Sequence, residues 1–186
     1  MIRLRHAFAL LLLSALPAAA EMGDDGLHKA PWMRQTFLDL REDLAEANAA
    51  GQRLMLIVEQ RGCIYCRKMH EEIFVLPEIE QRLEEDYFVV QLNMFGDLDV
   101  TDFDGTTLPE KEMVSRWGLL FTPTMMFLPE EVPPGSTAAE SAVAVMPGAF
   151  GPATTENLLS WVLDRGYAGE ESFQKYHARM LGNQGE

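Results

Sequence analysis

Only two of the 186 residues are cysteine, Cys63 and Cys66, and just two residues separate them. A bridge between them would close a tiny loop, which adds little beside the ~3 kcal/mol that a 15-residue loop gains in the loop-entropy model. A structural staple is therefore the weakest reading of the pair, and a disulfide-stapled scaffold is excluded. Half of a metal site and a redox couple stay open. Basic residues are scarce too: 15 Lys and Arg stand against 29 Asp and Glu, for a formal net charge of −14. So acidic a body repels nucleic acid and anionic lipid, which sets aside DNA, RNA and membrane-surface partners. Beyond residue 20 no apolar run approaches the roughly 20 residues of a membrane-spanning helix.

The chain is nevertheless 47% hydrophobic, enough at this length for one sizeable core. Its first twenty residues, MIRLRHAFALLLLSALPAAA, read as an export signal. Arg3 and Arg5 make the positive start, Ala7 to Leu16 the apolar run and Ala18 to Ala20 the small-residue cleavage site. The alternative is an uncleaved anchor, for which the run is too short. Cleavage near Ala20 leaves 13 basic residues against 29 acidic ones, a net charge of −16, in a mature chain of residues 21–186. Export delivers it where disulfides form and persist.

Along that chain, Phe37, Leu40, Leu44 and Ala47 recur at helical spacing, which predicts a helix from about Met33 to Ala50 with Gly51 as its stop. LMLIVE, Leu54 to Glu59, has the composition of a strand buried on both faces. The cysteine pair follows at the start of a helix carrying Met69, Ile73 and Phe74, and Pro77 opens a second helical piece with Ile79 and Leu83. Tyr87 to Met94 reads as a strand, Phe95 to Leu108 as a long acidic loop, and Glu110 to Trp117 as a short helix. FTPTMMFL, Phe121 to Leu128, is a strand with proline near its start. A Pro/Gly/Ser-rich loop then leads to a strand over Ala142 to Met146. A helix capped at Thr154 or Thr155 runs to about Arg165, and an amphipathic tail carries Phe173, Tyr176 and Met180. This is an α/β plan, a small mixed sheet flanked by helices in a single domain, with a core over about 54–165 and a helical extension over about 170–182.

A C-x-x-C between a buried strand and a helix has a mechanical logic. Unpaired N–H groups and the positive end of the helix dipole stabilise a thiolate. That makes Cys63 the exposed nucleophile and Cys66 the buried resolving thiol, close enough to release a captured partner. Arg61, Arg67 and Lys68 favour the thiolate if they turn toward it, and otherwise are simply solvated. Tyr65, between the cysteines, is a contact for a partner or for the protein's own surface.

With its strand, C-x-x-C helix and FTPT in this order, the chain resembles the thioredoxin superfamily. The resemblance covers about Leu54 to Arg165. It implies a cis-proline facing the cysteines at Thr122-Pro123, whose backbone pairs with substrate. Val58 to Phe74, together with FTPT and MPGAF, looks like the exported SoxW-type thioredoxins. Those imply a periplasmic thiol-disulfide oxidoreductase, kept reduced by a membrane thiol reductase of the DsbD or CcdA kind and acting on periplasmic protein disulfides. The implied setting is a sulfur-oxidation or cytochrome-maturation pathway. No cofactor beyond the dithiol is implied. The sequence departs from the family at Ile57, where ordinary thioredoxin has a buried aspartate. Glu59 is the nearest carboxylate, to be read either as the substitute proton relay or as a strand-end side chain facing solvent. Ile64-Tyr65 replaces the usual Gly-Pro.

Two further patterns bear on metals. Cys63, Cys66 and His70 form C-x-x-C-x-x-x-H, which admits a copper or zinc binding module or chaperone as the alternative function, although a closed zinc site wants four ligands. The other reading of His70 is an ordinary histidine on a half-exposed helix. DLDVTDFDG, Asp97 to Gly105, fails the EF-hand spacing, with Lys111 where glutamate is needed, and reads as a solvated loop. Phe121, Met125, Met126 and Phe127 read as core and not as a methionine-rich metal box. His28 and His177 have no visible partner.

Overall fold

The computed structural model describes residues 21–183; the expected signal segment lies outside them. Strand β4, Arg53–Glu59, is the centre of the sheet, and every residue from Leu54 to Val58 is at most 1% exposed. Because successive strand side chains point to opposite faces, this run feeds two cores. Met55 and Ile57 join Met69, Ile73, Phe74, Leu158 and Val162 on one face, while Leu54, Leu56 and Val58 join Leu40, Ala47, Met113 and Met126 on the other.

Strand β5, Tyr87–Asn93, lies parallel to β4 with Arg53 opposite Tyr87 and Glu59 opposite Asn93. On the other side β8, Thr124–Phe127, runs antiparallel, followed by β9, Ala144–Pro147. A two-residue strand β3, Met33–Arg34, completes the order β3-β5-β4-β8-β9. Helix α2 (Ile64–Lys68), through the π-turn Met69–Ile73 that continues it, α3 (Pro77–Glu85) and α6 (Pro152–Leu163) cover the first face; α1 (Leu40–Ala49), α4 (Glu110–Arg116) and α5 (Ala138–Ser141) cover the second. The mixed sheet flanked by helices is the architecture expected from sequence. Among the described residues no helix is long and apolar enough to cross a membrane.

Several local expectations are corrected. The helix expected from Met33 begins only at Leu40, because the Asp39 carboxylate accepts the Arg41 N–H as an N-cap. Met33 and Arg34 pair with β5 instead, and Phe37 is left 95% exposed. Helix α6 starts at Pro152 with Gly151 as its cap; the Thr155 hydroxyl donates back to the Gly151 carbonyl and so lies inside the first turn. The Pro/Gly/Ser-rich loop contains α5, held by a capping box between Thr137 and Glu140. A hairpin, β6 (Asp99–Thr101) and β7 (Thr107–Pro109), occupies the acidic stretch, and Asp102 at its turn is fully buried instead of solvated. An unforeseen hairpin of β1 (Glu21–Met22) and β2 (His28–Lys29) precedes β3. The tail helix α7, Phe173–Asn183, packs on α6 and gives His177 partners in Asn157 and Phe173.

One buried acid makes stability depend on pH. Asp43 of α1 is 3% exposed, and burial pushes its carboxyl up to about 6, with a hydrogen bond from Thr36 Oγ1 opposing and nearby Glu46, Asp39 and Glu42 adding to the rise. The folded chain therefore holds this proton to higher pH than the unfolded chain does. The stability associated with the protonated form is fully present below pH about 4 and is lost as pH rises through about 6. Asp43→Asn, neutral at every pH, is expected to stabilise the fold by roughly 2 kcal/mol at pH 7.5 and by almost nothing at pH 4. Urea unfolding at the two pH values checks this; equal effects at both contradict it.

Candidate active site

The parallel strands β4 and β5 both end on the side where the cysteines sit. After Glu59 the chain turns through Gln60, Arg61 and Gly62, and Gly62 adopts φ 72, the left-handed region that glycine enters without strain. Cys63 is then the N-cap of α2, its Sγ accepting the Cys66 N–H at 3.0 Å. The two sulfurs are joined in a disulfide. Cys66 is 1% exposed and Cys63 9%, so the first sulfur is the more accessible, though far from open. Helix α2 continues directly into a π-turn, Met69–Ile73, in which the Phe74 N–H reaches back to the Met69 carbonyl.

Thr122 and Pro123, joined by a cis peptide bond, lead into β8. The Thr122 hydroxyl lies 3.4 Å from Cys63 Sγ, and the buried Pro123 accepts the Gly148 N–H at its carbonyl. The structure thus brings Cys63, Cys66, Thr122 and Pro123 together. Tyr65 stands 57% exposed beside the exposed Ile64, and Phe121, expected in the core, is exposed with Leu120 in the segment just before Thr122. Two of the basic residues have other partners: Arg61 donates to the Asp25 carbonyl, and Arg67 lies 4.0 Å from Glu71. A cavity of about 160 Å³ opens beside Cys63, walled by Met22, His28, Gln60, Ile64 and Arg67.

Glu59 does not face solvent. It is 1% exposed, on the strand face of Met55 and Ile57, one side-chain repeat beyond Ile57 and close under α2. Its carboxylate faces His70 Nε2 at 3.0 and 3.2 Å and accepts a hydrogen bond from Gln91 Nε2. His70 is also inside, 2% exposed, which corrects the half-exposed helix position. Its ring stacks against His28 at 5.0 Å and Trp32 at 6.2 Å and meets the edge of Phe74. His28 is held below the usual histidine range by burial first and then by the nearby His70, with Glu59 opposing. Lys29 Nζ donates to Gln91 Oε1 on the outer side of this group.

The metal alternative finds no cage here. Among the described residues no group of three or more His, Cys, Asp or Glu side chains is placed to hold a metal ion, and His70 turns Nε2 to Glu59. Two of the aspartates of the acidic hairpin, Asp102 and Asp104, both meet Arg116. His28 and Gln91 are the site residues that sequence reasoning missed. A glutamine within the apolar run YFVVQL, on the same strand face as Tyr87 and Val89, was the available signal for Gln91. For His28 there was none.

The sequence profile of a thioredoxin-like domain matches residues 40–158. Among solved structures, a thioredoxin-fold protein from Helicobacter pylori is similar with TM-score 0.52 at 15% identity, over 71% of this chain and 81% of that one. A thioredoxin from Thermus thermophilus is similar with TM-score 0.52 at 24% identity, over 69% and 86%. The oxidoreductase DsbH aligns at TM-score 0.48 and 16% identity, over 84% and 95%. No curated protein matches the chain in sequence. The hairpin of β1 and β2, with His28, lies before the matched region.

Proposed function

The chain belongs to the thioredoxin-like family, and on that premise we propose that it is a protein thiol-disulfide oxidoreductase working in the periplasm. One observation carries the reading: Cys63 and Cys66 form a disulfide at the head of α2, with the Cys66 N–H and the Thr122 hydroxyl both directed at Cys63 Sγ. In the reduced protein, Cys63 attacks a partner disulfide as the thiolate, stabilised by that N–H and the helix dipole. The partner's second sulfur leaves with the electron pair. Cys66 then attacks Cys63, releases the partner as a dithiol and closes the bridge. Thr122 and Pro123 hold the partner backbone alongside, Tyr65 supplies apolar contact, and Glu59 is the carboxylate of a buried proton relay that includes His70.

The export signal read in residues 1–20 supports a periplasmic location for the mature chain. The likeness of Val58 to Phe74 to the SoxW type supports recharging by a membrane thiol reductase of the DsbD or CcdA kind, in a sulfur-oxidation or cytochrome-maturation pathway. No dissociable cofactor takes part. Trapping tests the reading. Cys66→Ser, expressed as the full chain, is expected to accumulate protein partners as adducts released by dithiothreitol. A Cys63→Ser/Cys66→Ser double variant is expected to accumulate none. Equal adducts from both variants, or none from either with a wild type inert toward insulin, defeats the proposal.

A further inference from the structure

Closing the bridge requires Cys66 to lose a proton at a sulfur that is 1% exposed. A sulfur so enclosed calls for a proton acceptor among its buried neighbours. Resting on the thiol-exchange reading above, we propose that His70 takes this proton on Nδ1, that Glu59 is the positioning residue that fixes the ring, and that His28 connects the pair to solvent.

Four observations converge on this assignment. His70 lies four residues after Cys66, on the same side of the helix, and helical side chains lean toward the preceding turn, which is the one that carries Cys66. Its two nitrogens are used unequally: Nε2 sits against the Glu59 carboxylate, whereas Nδ1 is buried with no hydrogen-bond partner. A buried polar atom left without a partner is uncommon enough to call for a role. With Nε2–H donated to Glu59, the Nδ1 lone pair is the free acceptor, the division of labour by which a carboxylate sets a histidine tautomer and stabilises the imidazolium. Third, Glu59 is itself clamped, because Gln91 donates to it and to the His28 carbonyl while Lys29 holds the other end of Gln91. Fourth, His28 stacks on His70 and also lines the cavity that opens at Cys63. The charged groups around it are His70, Glu59, Glu71 and Arg67.

The step balances as follows. The S–H bond of Cys66 breaks and its proton goes to His70 Nδ1. The freed sulfur pair forms the Cys63–Cys66 bond, and the bond from Cys63 to the partner sulfur breaks. Its electrons leave with the partner as a thiolate, so Cys66 is oxidised and the partner reduced. The imidazolium then returns its proton to solvent past His28. Reduction of the bridge runs the same path backward and delivers a proton to the buried thiol.

The test separates capture from closure. Reduced full-length protein is mixed with the disulfide of glutathione and thionitrobenzoate. Release of coloured thionitrobenzoate reports the attack by Cys63, and mass spectrometry of acid-quenched samples follows the Cys63–glutathione adduct as Cys66 closes. His70→Gln is expected to capture within about twofold of wild type but to close on the order of 10²-fold more slowly at pH 6.5. The deficit is expected to shrink above pH ~8.5, where a thiol ionises unaided. Lost packing alone does not produce that recovery. Glu59→Gln is expected to slow closure in the same direction, and it carries the test should His70→Gln fail to fold by circular dichroism. In the wild type the closure rate is expected to stay flat from pH 7 to 9. A wild-type rate that climbs tenfold per pH unit over that range, or variants that close at the wild-type rate, overturn the assignment while leaving thiol exchange intact. A wild type that forms no adduct removes both.

Discussion

Cys63→Ser is expected to bring insulin reduction down to the uncatalysed rate, a loss on the order of a thousandfold or more, the scale on which removing a nucleophile acts. The reason is positional. Cys63 is the sulfur that lines the cavity and meets the Thr122 hydroxyl, whereas Cys66 is sealed beneath it. No other cysteine is present to take over. Since the bridge closes only a tiny loop, its loss is expected to cost little stability, so the variant is expected to unfold in urea close to the midpoint of the reduced wild type. Substantial turnover by Cys63→Ser would show that Cys66 is reachable from outside and would reverse the two roles.

Asp102→Ala is expected to have the largest effect on stability, about 3–5 kcal/mol, as when one partner of a buried ion pair is removed. Asp102 is fully buried and ties three elements together. Its Oδ2 accepts from Trp117 Nε1 at 2.8 Å and from Arg116 at 3.0 Å, and its Oδ1 accepts from the Ala138 N–H at 2.8 Å. Alanine would leave two neutral buried donors without an acceptor, each costing roughly 1–3 kcal/mol. In a chain of this size the melting temperature is then expected to fall by on the order of 10 °C. The brace lies on the sheet face opposite α2, so turnover by the molecules that remain folded is expected to stay at the wild-type level. Denaturant unfolding beside an insulin assay at low temperature checks both parts. A cost below about 1 kcal/mol would mean that water replaces the carboxylate, and Asp102 would be no brace.

The part of the site that was legible in sequence is the part built by neighbours. A C-x-x-C after an apolar run positions its own thiols, because an N-cap, a helix turn and a buried strand are set within a dozen residues. The helix boundary at Asp39 was missed because two local signals competed. The apolar spacing of Phe37 with Leu40 favoured extension of the helix, and the cap at Asp39 together with the pairing of Met33 and Arg34 on β5 ended it. Asp102 read as solvated because nothing near it in sequence reveals Ala138, thirty-six residues away, as its partner.

Composition and spacing alone determined that the cysteine pair does chemistry, that the central strand is buried and that a mixed sheet lies under helices; the resemblance to thioredoxins made the pair a redox couple. Spacing also raised His70 as a residue in need of explanation, and the resemblance, through its departure at Ile57, raised Glu59. Whether that carboxylate and that imidazole meet was decided only by the packing of α2 over β4, which turns one face of the strand toward one face of the helix and seals both from water. His28 and Gln91 joined them through β1–β2 and through the register of β4 with β5, contacts spanning more than thirty positions. Local sequence fixes short-range dihedrals and caps. Which distant polar groups share a dry pocket depends on how whole elements dock, since an unpaired buried group is tolerated only where the docked partners satisfy it or the chemistry uses it.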